Sequence, residues 1–233
     1  MSFPNIFDWL ERLDFLRGYP AAMLVLLTAV IIILSWDWRV SVTALAIQYF
    51  AVALLYADIL PPQLAIIKLL VGWFVCLILL ITARQVHWGG VPDDITPEEE
   101  AQFHHIEFVK MGPVRVPKSF PIRTLLVAVA ILIIFWWTQW SVTDLPVFAD
   151  AADYLTLAIN TLVGLGLLGL ATTTEPLKAG MGLLMFLAGF ELFYASLEQA
   201  AIIFALLAAV NLVIAVVIAY LTQRQYSVTA IFD

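Results

Sequence analysis

Seven long apolar runs, parted by short polar or proline-containing breaks, fill most of this chain. They cover roughly Tyr19–Trp36, Val40–Ala57, Gln63–Ala83, Ile122–Trp140, Tyr154–Thr172, Pro176–Leu197 and Gln199–Leu221. Each approaches the roughly 20 residues that a helix needs to cross the hydrocarbon core of a bilayer. Inside a bilayer the backbone polar groups must bond to one another, which leaves helices or a closed barrel. Barrel strands would alternate apolar and polar residues, and these runs do not. The pattern therefore predicts an all-α integral membrane protein with seven transmembrane helices. Ahead of the first run, Ile6–Arg17 puts Ile6, Trp9, Leu10, Leu13 and Leu16 on one helical face, so residues 1–18 are expected to form an amphipathic interfacial segment. Trp36, Trp38, Trp88, Trp136, Trp137 and Trp140 cluster near span ends, as interfacial belts do.

An internal correspondence adds organisation. When Thr82 is laid on Thr222, Arg84 falls on Arg224, Gln85 on Gln225 and Asp58 on Glu198, with no gap across three runs. This divides the chain into a first three-helix repeat (19–84), a polar loop (85–121), a linking helix (122–140), a second three-helix repeat (154–225) and a tail (226–233). The linking helix restores direction, so the two repeats are expected to run parallel, unlike the inverted repeats common in secondary transporters.

Composition agrees with this picture. The 233 residues are 63% hydrophobic and 12% charged, with net charge -7; mean hydropathy is +0.99. No soluble domain could cover such a chain with polar surface. Nucleic acid is not an expected partner, because no basic patch exists. The single cysteine, Cys76, cannot form an internal disulfide. The first 17 residues mix charge with apolar bulk, which is not the pattern of a cleavable signal. With seven spans, Arg39, Arg84, Lys110, Arg115, Lys118, Arg123, Lys178 and Arg224 collect on the C-terminal side, against Arg12, Arg17 and Lys68 on the other. The positive-inside rule then places the chain in the cell inner (plasma) membrane with its N-terminus outside and its C-terminus cytoplasmic. The Pro-, Glu- and Asp-rich loop would be cytoplasmic and suits a segment that orders against a soluble partner.

Few residues in the spans can carry chemistry. Glu191 sits in the run Ala179–Leu197, where a carboxylate costs about 2.5–3.5 kcal/mol or more at a helix centre, so an ionisable group there is a functional candidate. It either exchanges protons, or is a structural carboxylate bonded to a neighbour, or lies near enough to the interface to be wetted. Asn211, mid-span, either contributes to a polar path or glues two helices. Lys68, in the first turns of the third run, is either a buried cation or snorkels to the outer interface. Asp58, Glu175, Lys178 and Glu198 lie near span ends and are expected to be mostly solvated. Gly164-Leu-Gly166-Leu-Leu-Gly169 matches a dinucleotide fingerprint by letter, but it follows no strand and lies in an apolar run. It reads as a close helix-packing surface, as do Gly180, Gly182 and Gly189. His87, His104 and His105 fall in the polar loop beside Glu98–Glu100 and Glu107, in no ligand spacing, so no metal is expected. Absence of histidine from the spans argues against bis-histidine haem, and no protease, hydrolase or nucleotide-binding motif is present. The chain is expected to bind no cofactor beyond surrounding lipid.

The final three runs resemble the three-helix small subunit of proton-pumping NADH dehydrogenase (complex I subunit K), and its relatives, the C-type small subunit of the multisubunit cation/proton antiporters and component E of hydrogenase-4. The resemblance rests on Gly189-Phe190-Glu191-Leu192, on Leu207-Ala208-Ala209-Val210-Asn211 and on the basic exit at Arg224, over roughly residues 155–225. It implies a membrane glutamate at Glu191 that relays protons with a second glutamate. That second position is Asn211 here, and the corresponding first-repeat positions are Ala51 and Val71. The first expectation is therefore a small, non-catalytic subunit of a proton- or cation-translocating complex, associated with other integral subunits. Glu191, Asn211 and Lys68 would lie near its polar axis. The alternative is a structural or assembly subunit with no ion path of its own. A self-contained small-solute transporter is a third, disfavoured by the scarcity of polar membrane residues and by the parallel repeat.

Overall fold

The computed structural model describes residues 13–86, 108–111, 114–117, 120–140, 152–198 and 200–228. Among them, after a 3-10 turn at Asp14–Leu16, seven α-helices follow in order: α1 (Tyr19–Leu34), α2 (Trp38–Ile59), α3 (Pro62–Gln85), α4 (Phe120–Trp140), α5 (Ala152–Ala171), α6 (Pro176–Leu197) and α7 (Ala201–Val228). Helices α2 to α7 are long and apolar enough to cross a membrane. The first helix has 16 residues, about 24 Å, which is less than the roughly 30 Å hydrocarbon core. It is shorter than its predicted run because the chain turns extended at Ser35. It still joins the same two ends of the bundle as α2. Tyr19 at its start meets Asp153 and Tyr154, and the Ser35 carbonyl beyond its other end accepts a bond from Lys178.

Local chemistry sets the boundaries. Proline stands in the first turn of α1, α3 and α6, where its missing N–H has no helical partner to lose. Asp37 caps α2 by accepting the Arg39 amide at 2.9 Å. Gly18 leads into α1 at φ 73°, a conformation that favours glycine.

The helices form two rows. In one, α1, α2 and α3 pack in sequence; in the other, α5, α6 and α7 do. The rows face each other with α1 on α5, α2 on α6 and α3 on α7, while α4 packs on α5 and α1. Direction follows from bonds at the two ends. Arg17 and Tyr154 both bond to Asp58, which gathers the start of α1, the end of α2 and the start of α5. Gln85 and Gln223 bond at 2.9 Å where α3 and α7 finish. Facing helices therefore run parallel. The aligned Thr82 and Thr222 are both buried, and each bonds back to the carbonyl four residues earlier.

Close approach of α5 to α6 depends on glycine. A Cβ at Gly182 would meet the Leu170 amide at 2.6 Å, and one at Gly166 the Phe186 amide at 2.5 Å. The glycine run that resembles a nucleotide fingerprint thus serves helix packing. Central helices α2 and α6 are the most buried and α4 and α7 the least. Leu132, Trp136, Val213, Val216 and Tyr220 are exposed on the outer helices, as suits surfaces facing lipid.

The predicted amphipathic helix falls mostly on residues outside those described; its described end is the 3-10 turn. His87, His104, His105, Glu98–Glu100 and Glu107 also lie outside. Within the polar loop, β1 (Phe108–Met111) pairs antiparallel with β2 (Val114–Pro117). This hairpin adds strand where the sequence reading expects none, and its valine-rich segments carry the strand propensity that accounts for it.

Candidate functional site

Three helices bring Glu191, Lys68 and Asn211 to one point. Glu191 occupies the buried stripe of α6 with Ala188, Leu192 and Ala195. Asn211 opens a stripe on α7 that continues through Ala215, Ile218 and Thr222, four buried positions at helical spacing. Lys68 lies in the second turn of α3. Their exposures are 2%, 2% and 8%, so all three are removed from solvent. Lys68 Nζ forms an ion pair with Glu191 Oε2, and Asn211 Nδ2 donates to Glu191 Oε1 at 2.6 Å. Lys68 thus does not snorkel to the interface; its ammonium is held inside by the carboxylate.

Depth follows from helix geometry. At about 1.5 Å per residue, Lys68 and Glu191 each sit about 9 Å from the Asp58 end of the bundle, and Asn211 about 15 Å from it. A cleft leads inward from that end. It encloses about 470 Å³ of empty space, its mouth included, and is lined by Tyr56, Leu60, Leu64, Lys68, Glu191 and Phe204 among others. Tyr56 packs edge-on against Phe204, with ring centroids 6.3 Å apart. The Tyr56 hydroxyl and Asn211 Oδ1 are buried without a hydrogen-bond partner among the described residues. A cleft with orphaned polar atoms is where ordered water is expected.

This arrangement suits a group that changes protonation. Asn211 now donates its amide to the carboxylate. Rotated by half a turn, it would accept a bond from the protonated acid through Oδ1. An uncharged residue can in this way serve both forms of Glu191.

The remaining candidates lie elsewhere. Asp58 is part-buried and engaged rather than freely solvated: it accepts from Arg17 Nε at 2.8 Å and from the Tyr154 hydroxyl at 3.2 Å, tying three helices. Lys178 is also buried, at the opposite end, where it bonds to the Ser35 carbonyl at 2.6 Å. Glu175 is half-buried at the start of α6 and makes no side-chain cap. Glu198 is exposed. Sequence reasoning missed Tyr56, whose role depends on a cleft, and Gln48, which is buried in α2 with neither amide atom bonded among the described residues. One signal could have joined Lys68 to Glu191: they are the two full charges lying more than a turn inside any predicted span, and at matching depth. Comparison with protein-family models, curated proteins and solved structures gives no match, so a functional reading stands on this geometry and on the sequence.

Proposed function

We propose that this chain is a small integral subunit of a multisubunit proton- or cation-translocating membrane assembly, of the complex I-like, antiporter-like or membrane-hydrogenase-like kind. Glu191 holds the proton, Lys68 supplies the counter-charge, and Asn211 accommodates either protonation state. The observation that carries this reading is a buried carboxylate, paired with a buried ammonium from another helix, at the head of a cleft. Ionisable groups inside a membrane bundle commonly mark ion and proton pathways. The sequence resemblance at Glu191 supports the same reading. On this proposal the two helix rows are copies of one three-helix unit, Asn211 stands where the family places its second carboxylate, and Lys68 adds a charge from the facing row. Redox centres belong to other subunits, and a soluble subunit docks on the 85–121 loop.

One observation favours a second reading, a structural subunit with no ion path. Glu191, Lys68 and Asn211 come from α6, α3 and α7, so their bonds also tie three helices together. Substitution of Glu191 separates the two readings. Glu191→Gln keeps shape but cannot exchange a proton; Glu191→Asp keeps the charge. In the assembled complex, Glu191→Gln should slow translocation roughly 100-fold, the low end for a positioned proton-transfer group, with partial recovery in Glu191→Asp. Normal translocation by an assembled Glu191→Gln complex would overturn the proton role. Loss of co-purifying subunits, with the remaining assembled fraction fully active, would favour the structural reading.

A further inference from the structure

The cleft at Glu191 runs between the two helix rows. Tyr56, Leu64 and Lys68 line it from one row, and Glu191, Phe204 and Ala208 from the other. At about 1.5 Å per residue, Leu64 lies about 3 Å from the Asp58 end, Tyr56 about 5 Å and Ala208 about 10 Å, so the lining descends to the depth of Glu191. The cleft has room for several water molecules, and polar groups to hold them. The Tyr56 hydroxyl, buried without a hydrogen-bond partner among the described residues, can donate to one water and accept from another. Lys68 meets one carboxylate oxygen but carries three N–H donors. Hydrocarbon in the cleft would leave these groups unmet, at a cost that water avoids.

Toward the other end the bundle is closed. Val75 and Leu79 of α3, Met181 and Leu184 of α6, and Ala215 and Ile218 of α7 are all buried in the apolar core. The Tyr49 ring sits on Gly72 and the Ile218 side chain on Gly180, each where a Cβ would overlap it, so the α2–α3 and α6–α7 seams are filled. Thr82 and Thr222 spend their hydroxyls on carbonyls of their own helices. The Gln48 amide and the Tyr49 hydroxyl are also buried without partners among the described residues, but they do not line the cleft.

We propose that the cleft is a water-filled half-channel that connects Glu191 and Lys68 with the compartment at the Asp58 end alone, with Tyr56 holding water near its mouth. A proton arriving along this water protonates the Glu191 carboxylate, and the same route in reverse releases it. The proposal takes its purpose, though not its water, from the proton role of Glu191. Two measurements on the full chain test it, and neither needs translocation. The first is hydroxyl-radical labelling by X-ray radiolysis, which oxidises side chains beside bound water and is read by mass spectrometry. Tyr56 and Tyr49 lie on one helix and are both buried, at 1% and 3% exposure. Tyr56 should be oxidised roughly tenfold faster, since it alone of the two borders the cleft. The second adds silver ions, which are small and carried by water, to either face of sealed vesicles holding the chain in one orientation. Ala208→Cys should react from the face opposite the C-terminus and not from the other. The parent, whose buried Cys76 lies on the closed side, should react from neither. Oxidation of Tyr56 as slow as that of Tyr49, the result for a cleft filled by an acyl chain, would overturn the proposal. So would reaction of either protein from the C-terminal face, or an Ala208→Cys that reacts from no face. Normal translocation by Glu191→Gln would remove the proton role and leave both measurements standing, so the two ideas fail separately.

Discussion

Lys68 and Glu191 determine what the buried centre of this bundle can tolerate. Each alone would leave a full charge in a medium that solvates it poorly; together they are neutral, and Asn211 fills one carboxylate position. Breaking such a pair from one side costs more than removing it, because the survivor stays buried and uncompensated. Lys68→Met and Glu191→Leu should each destabilise the detergent-solubilised chain by about 3–5 kcal/mol, while the double variant should return to within about 1–2 kcal/mol of the parent. Thermal unfolding of all four proteins measures this cycle, and simple additivity would show that the two residues do not act as a pair. Both residues are legible in the sequence as charges in apolar runs, and Glu191 also through its glycine-containing motif. Their meeting was less legible, because it requires α3 to come within reach of α6, and local periodicity says little about which helices are neighbours. Burial of Lys178 was illegible for the same reason. Three residues into its helix it looks solvated, but the α1–α2 connection covers it with the Trp36 ring and the Ser35 carbonyl.

Whole helices depend on where the chain has no side chain at all. Helices α5 and α6 approach until the backbone of one touches the backbone of the other at Gly166 and Gly182. In the absence of a hydrophobic drive between helices, such contact supplies much of the attraction. A methyl at Gly182 would meet the Leu170 amide and the Gly169 carbonyl carbon, at 2.6 and 2.9 Å, and neither can rotate away. At Gly164 the same methyl would meet the tip of Ile134 at 3.2 Å, a flexible group. Gly182→Ala should therefore cost about 1–3 kcal/mol in unfolding free energy, in the range of overpacking, and Gly164→Ala much less. Equal effects in denaturation in detergent would refute backbone contact as the cause. The helices were legible because apolar length is a strong signal, and six predicted runs correspond to helices long enough to span. Their ends were less so: α7 continues to Val228, beyond its apolar run, because nothing at Leu221 breaks it. The hairpin is short, and a few valines in a polar loop give no decisive period.

At the scale of the molecule, the two ends of the bundle differ in charge. Among the described residues, Arg39, Arg84, Arg123, Lys178 and Arg224 lie toward the end where α3 and α7 finish, while Arg17 and Lys68 lie toward the other. Lys and Arg near span ends favour the cytoplasmic side of a membrane, and on that rule we propose that the C-terminus lies inside. The position of the N-terminus then depends on α1, the helix whose 16 residues fall short of a full span. Its end-to-end contacts, Tyr19 with Tyr154 at one side and Ser35 with Lys178 at the other, carry the chain from one end of the bundle to the other despite that length. Flanking aromatics and local thinning of the bilayer can accommodate a mismatch of a few ångströms at modest cost. A C-terminal fluorescent fusion that matures only in the cytoplasm should therefore be bright, and an N-terminal epitope should be accessible to antibody from outside intact cells. An epitope reached only after permeabilisation would mean that α1 does not cross. Arg17 would then lie on the cytoplasmic side, apart from Asp58 and the mouth of the Glu191 cleft, and the Arg17–Asp58 bond could not form.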